Sequence, residues 1–213
     1  MRTSLIALLL LSAGLLTGQE PKPVALPAPQ TGGGKPLMQA LKERKSVRDF
    51  GPEPLSRQTL SNLLWAAWGI NRADGRRTAP SASNHQEIDA YVIMADGAYL
   101  YDAQANALRL VSSTDLRKFA GTQAYVAGAP VNLVYVADTA KLGGDDAGKL
   151  AIANADTGFI AQNTYLFCAS EGLATVVRAS VNRDDLGKAL NLRAAQRITL
   201  AQTVGYAAKS AGN

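Results

Sequence analysis

The chain is 213 residues long, about the length of one large domain. With 47% hydrophobic and 18% charged residues, it can build a sizeable core and carries too little charge for a disordered chain or a solenoid of charged helices. A net charge of +5 suits an anionic ligand but is too mild to imply nucleic acid, while a single cysteine (Cys168) and a single histidine (His85) exclude an internal disulfide framework and ordinary zinc sites.

Residues 1–18 carry Arg2, an apolar run from Leu5 to Leu16, and then small and polar residues. That is the anatomy of a signal peptide, too short for a comfortable transmembrane span, and it predicts export to the periplasm or beyond. Residues 19–35, rich in Pro and Gly, read as a tether, so the folded domain is expected over 36–213. A short helix is predicted over Pro36–Arg44, with Leu37, Met38 and Leu41 on one side. A stronger helix follows over Ser56–Trp68, capped by Ser56 and presenting Leu60, Leu63, Leu64 and Ala67 on one face. The irregular stretch Gly69–Glu87 is longer than ordinary connections, and such loops are commonly functional.

Tyr91–Met94 reads as a strand, and Tyr99–Asp102 with Ala107–Val111 as a hairpin. Asp115–Phe119 is expected to be helical, and the apolar run Val131–Val136 to be a strand buried on both faces. Asp146–Glu171 is the longest helical candidate, stopped by Gly172 and apolar around much of its second half, as a helix covered on more than one side would be. A strand (Ala174–Val177), a short helix (Asp184–Leu190) and a last strand (Ile198–Tyr206) complete an α+β pattern with a mixed sheet.

Several chemical motifs fail on inspection. Gly143 to Leu150 nearly spells a phosphate loop, but Leu150 stands where magnesium needs a hydroxyl, and Asp145 and Asp146 would repel phosphates. A capped helix start is the better reading. His85 has no nucleophile elbow to serve, and Cys168 lies among apolar neighbours like a buried, inert thiol.

Two stretches survive. Lys42 to Asp49 packs four cations and Ser46 together where the first helix ends, a donor set suited to phosphate. Thr78 to Gln86 is a run of small residues and amides without charge, able to approach a flat heterocycle and satisfy its edge. By composition alone, the first could equally be a solvated face and the second a plain connection.

In order along the chain, these stretches resemble the motifs of the nitroreductase-like flavoproteins: Arg44-Lys45-Ser46-Val47-Arg48, then Pro80-Ser81-Ala82-Ser83-Asn84-His85-Gln86. Gln123 ahead of Ala129-Pro130, Gly172-Leu173 through Val177-Arg178-Ala179, and Val204-Gly205-Tyr206 with Lys209 continue the resemblance, which covers roughly residues 36–209. It implies a mainly antiparallel central sheet flanked by helices, in a homodimer whose two FMN sites are each built from both subunits. Arg44 and Ser46 would hold the phosphate, with Lys209 as a weaker third partner and Lys45 among the cofactor-binding residues, and Arg48 would face the pyrimidine edge. Pro80, Ser81 and Asn84 would come from the other subunit. Gln123 would reach the ribityl or ring edge, and Val177, Arg178 and Ala179 would line the face near the reactive nitrogen.

The resemblance assigns the redox chemistry to the flavin, so no side chain is a dedicated acid or base and no metal is called for. The substrate would be a small organic molecule. Three positions depart from the family pattern: Lys45 replaces an arginine, Glu87-Ile88 replaces Pro-Trp as in the azoline-ring dehydrogenase branch, and Arg178 could favour an anionic substrate. Export would separate the protein from reduced nicotinamide, so another electron donor or direct substrate oxidation is expected. An azoline-ring-type dehydrogenase and a non-catalytic flavin-binding module are the competing readings.

Overall fold

The computed structural model describes residues 21–209. The segment read as a signal peptide lies outside them. In chain order the elements are β1 (Val24–Ala25), α1 (Leu37–Glu43), α2 (Arg57–Trp68), β2 (Ile88–Met94), β3 (Gly97–Asp102), β4 (Ala107–Ser112), α3 (Tyr125–Gly128), β5 (Val131–Asp138), α4 (Asp146–Glu171), β6 (Ala174–Arg178), α5 (Arg183–Ala189) and β7 (Gln196–Gly205).

The strands form one seven-stranded sheet in the order β1-β4-β3-β2-β5-β7-β6, and every pairing is antiparallel rather than mixed. Because side chains alternate across a strand, β5 serves two cores at once. Leu133, Tyr135 and Ala137 face a core shared with α2 and α4, while Val134 and Val136 face a second core closed by α3 and α5. All eight residues of β5 are buried, as its unbroken apolar run predicts.

α4 runs over 26 residues, about 39 Å, across the first face. Asp145 caps it by accepting the N–H of Gly148, which settles the near-miss phosphate loop as a helix start, and Gly172 ends it at φ 72° in the left-handed region. Ser56 caps α2 as expected, accepting the N–H of Thr59.

Three expectations need correction. Asp115–Phe119 forms only a single 3₁₀ turn over Arg117–Phe119. Leu37, Met38 and Leu41 do share one side of α1, and that side faces outward, Met38 being 75% exposed. The sheet lacks the parallel pairs of a mixed sheet. Residues 21–35, finally, are no free tether. Val24–Ala25 adds an edge strand to β4, Leu26 is buried, and Asn62, Asn106 and Ser170 each bond this strap's backbone. The folded domain therefore begins well before Pro36.

Candidate functional site

The cationic turn after α1 is fixed at both ends. The N–H of Val47 donates to Thr175 O of β6, and Asp49–Gly51 pairs with Tyr206–Ala208 through Gly51 N–H to Tyr206 O and Ala208 N–H to Asp49 O. Continued one residue, that pairing brings Lys209 to the level of Arg48. Between the two anchors, Ser46 Oγ lies 2.8 Å from the hydroxyl of Tyr165 on α4, and the Arg44 guanidinium sits 5.2 Å from the centre of the Tyr165 ring. The same hydroxyl accepts the N–H of Val177 at 3.0 Å. One buried tyrosine thus joins the turn to the end of β6. Lys45, Ser46, Arg48 and Lys209 are exposed, and a hollow of about 610 Å³ is lined by Lys42, Lys45, Val47, Tyr165, Thr175 and Ala207.

At the end of β6, Val177 is half-buried and Ala179 exposed, but the Arg178 side chain turns inward. Its guanidinium donates to Thr203 Oγ1 at 2.6 Å, Asn132 Oδ1 at 2.9 Å and Ala120 O at 2.8 Å. These acceptors are all neutral, and burial pushes the Arg178 pKa down to about 10. An arginine held this way cannot greet an anionic substrate, contrary to the expectation from sequence. It also explains Gly121, where a Cβ would stand 2.4 Å from Arg178 Nε. Two buried polar atoms here, Arg178 Nε and Gln123 Oε1, have no partner among the described residues.

The Pro80–Gln86 loop is built elsewhere. Arg77 stacks 4.7 Å over the Trp68 ring, donates to Trp68 O and grips Gln86 Oε1 at 2.7 Å. Ser81 Oγ accepts the Gln86 N–H, and Ala82 N–H donates to Asp156 Oδ2 of α4 at 2.8 Å. Ser83, Asn84 and Gln86 have φ of 48°, 56° and 47°, a left-handed backbone that costs non-glycine residues about 1–3 kcal/mol each, least for asparagine. Pro80 and Asn84 are exposed, beside a hollow of about 600 Å³ shared with Arg72 and Arg76. His85 is an exposed loop residue, and Cys168 is fully buried, its thiol pKa pushed far up by burial.

The structure therefore ties Arg44, Ser46 and Val177 to Tyr165, with Lys45 lining the same hollow and Arg48 and Lys209 level with each other on the exposed turn beyond; Arg178 and Ala179 end β6, and Gln123 stands two residues past Gly121, which packs on Arg178. It does not bring Pro80, Ser81 and Asn84 to them. Asp156 and Tyr165 lie about two and a half turns apart and leave α4 on opposite flanks of its sheet-facing stripe. Sequence reading missed Tyr165 and Asp156, which sit within the otherwise regular helix α4, and the burial of the acid Glu87 at the end of the loop.

A sequence profile described as the Nitroreductase family matches residues 41–206. A candidate nitroreductase of Methanocaldococcus jannaschii is 29% identical over 170 residues, 74% of this chain and 85% of its own. The crystal structure of a candidate nitroreductase from Ralstonia eutropha superposes with a TM-score of 0.84 at 40% identity, covering 90% of this chain and 92% of that one. At 21% identity, the NADPH:FMN oxidoreductase of Vibrio harveyi, solved with NAD+, shares the fold with a TM-score of 0.60 over 81% of this chain and 69% of its own.

Proposed function

Because the chain belongs to the nitroreductase family of oxidoreductases, we propose that it is an FMN-dependent oxidoreductase that acts as a homodimer on a small organic redox substrate. The observation that carries this reading is the Tyr165 junction, which holds the Ser46 hydroxyl and the Arg44 guanidinium of the turn beside the end of β6. The donor set fits FMN. Arg44, Lys45 and Ser46, with Lys209, supply charge-assisted donors for a phosphate, and Arg48 can stand against negative charge on the ring. The orphaned Gln123 Oε1 can accept from a polar group of the sugar-alcohol chain or ring edge. Val177 and Ala179 would line the ring through backbone.

When bound, FMN supplies the two-electron redox chemistry, and the chain's residues bind, orient and shield it. Pro80, Ser81 and Asn84 serve the site of the second subunit in this reading, because they lie across α4 from the junction in their own. Outward-facing Leu37, Met38 and Phe159 offer the apolar surface such a dimer would cover. Export by the N-terminal apolar segment is part of the same proposal, with an electron donor other than reduced nicotinamide. No helix among the described residues is long and apolar enough to cross a membrane.

The test is the visible spectrum of the purified protein, with the released chromophore identified by mass. FMN at about one per subunit is expected, with Arg48→Ala lowering retention. A colourless protein that takes up no added FMN overturns the reading.

A further inference from the structure

Glu87 is the loop residue that neither the fold nor the flavin reading accounts for. It stands just before β2 with no exposed surface, and neither carboxylate oxygen meets a donor among the described residues. Facing it is a second buried acid, Asp156 of α4, 3% exposed, whose negative charge adds to the effect of burial on Glu87. Two ionised carboxylates in contact repel; with one proton between them they become donor and acceptor. Asp156 meanwhile holds the Ala82 N–H through Oδ2. The two acids therefore grip both ends of the stretch that holds the left-handed Ser83, Asn84 and Gln86, one through the chain itself and one through the Ala82 amide.

The other charged groups nearby leave this pair to itself. Lys141, in the turn after β5, is the cation facing Glu87, but its ammonium donates to Gln86 O at 3.0 Å. The Asp138 carboxylate is taken by Arg193 at 2.6 Å, and Asp89 bonds Gln196.

We propose that Glu87 and Asp156 share one proton, and that this shared proton is the clasp holding the Ser81–Gln86 loop in the shape that receives the flavin of the neighbouring subunit. The flavin half of this statement rests on the proposed function; the clasp does not. Burial, with the Asp156 charge adding to it, holds the Glu87 pKa above the ordinary carboxyl value of 4.5. A raised folded-state pKa means that the clasp's contribution is complete below 4.5 and is lost as pH climbs through the raised value.

Infrared spectra and amide hydrogen exchange of the flavin-free protein, titrated upward from mild acid, test the clasp. The carbonyl stretch of a buried protonated acid should be present, should vanish in Glu87→Gln, and should be lost in the wild type on raising pH. Exchange at residues 82–86, corrected for intrinsic rates, should accelerate over the same pH range. Glu87→Gln donates permanently to Asp156 and should keep the loop protected throughout, whereas Asp156→Ala should expose it at every pH. FMN affinity should fall by up to about tenfold per pH unit above the transition in the wild type and stay level in Glu87→Gln. Absence of the protonated-acid band, or loop exchange that ignores it, overturns the clasp. A band and loop transition in a protein that binds no FMN at any pH keeps the clasp and refutes the flavin reading.

Discussion

Tyr165 shows how much one hydroxyl can organise. It meets Ser46 Oγ on one side and the Val177 N–H on the other, so the turn and the strand end share a single support. Tyr165→Phe keeps the ring beneath Arg44 but leaves the Val177 N–H without its acceptor. The expected loss is about 1–3 kcal/mol in denaturant unfolding, with weaker FMN retention under the proposed function. A variant as stable as the wild type and equally yellow would show that the junction is incidental. Tyr165 escaped the sequence because nothing around it repeats: it is one aromatic on a long apolar helix, and its two partners lie 119 residues upstream and 12 downstream. The cationic turn was legible because its residue types are concentrated in one place. Arg178 shows the reverse, since composition reveals a charge but not the direction in which it points.

Among the elements, the long ones were readable and the docked ones were not. α4 and β5 announce themselves by length, by caps and by an apolar pattern that local sequence alone sustains. The strap over residues 21–35 has the composition of a linker, and its attachments are side chains distant in sequence, such as Asn106 Nδ2 donating to Pro27 O at 2.8 Å. Contacts of that kind leave no periodicity to read. α1 carries an apolar stripe that local sequence reveals without saying what covers it, and the stripe faces outward. The strap makes a direct prediction: Leu26 is 9% exposed in the core of the first face, so Leu26→Ala should cost about 2 kcal/mol or more and lower the melting temperature. An unchanged melting curve would mean that the strap is dispensable.

Taken as a whole molecule, the protein presents one set of candidate ligand groups around Tyr165 and another around Asp156, on opposite flanks of α4. The proposed homodimer would resolve that separation, and it would also cover the outward Met38 and Phe159, 75% and 49% exposed. Met38→Lys with Phe159→Lys should therefore give a smaller species by light scattering and lose flavin together with it. A variant that stays the size of the wild type, with its flavin retained, would place the subunit contact elsewhere. The strap has one more consequence at this scale. A sheet that ended at β4 would offer a row of unpaired backbone groups on which other chains could grow. β1 covers two residues of that row, and Pro21, Pro23, Pro27 and Pro29 bracket it with positions that have no N–H to donate. The sheet is sealed on this side by a strand on which another can hardly build, which makes the segment that looked most like slack in the chain its guard against fibrous self-association.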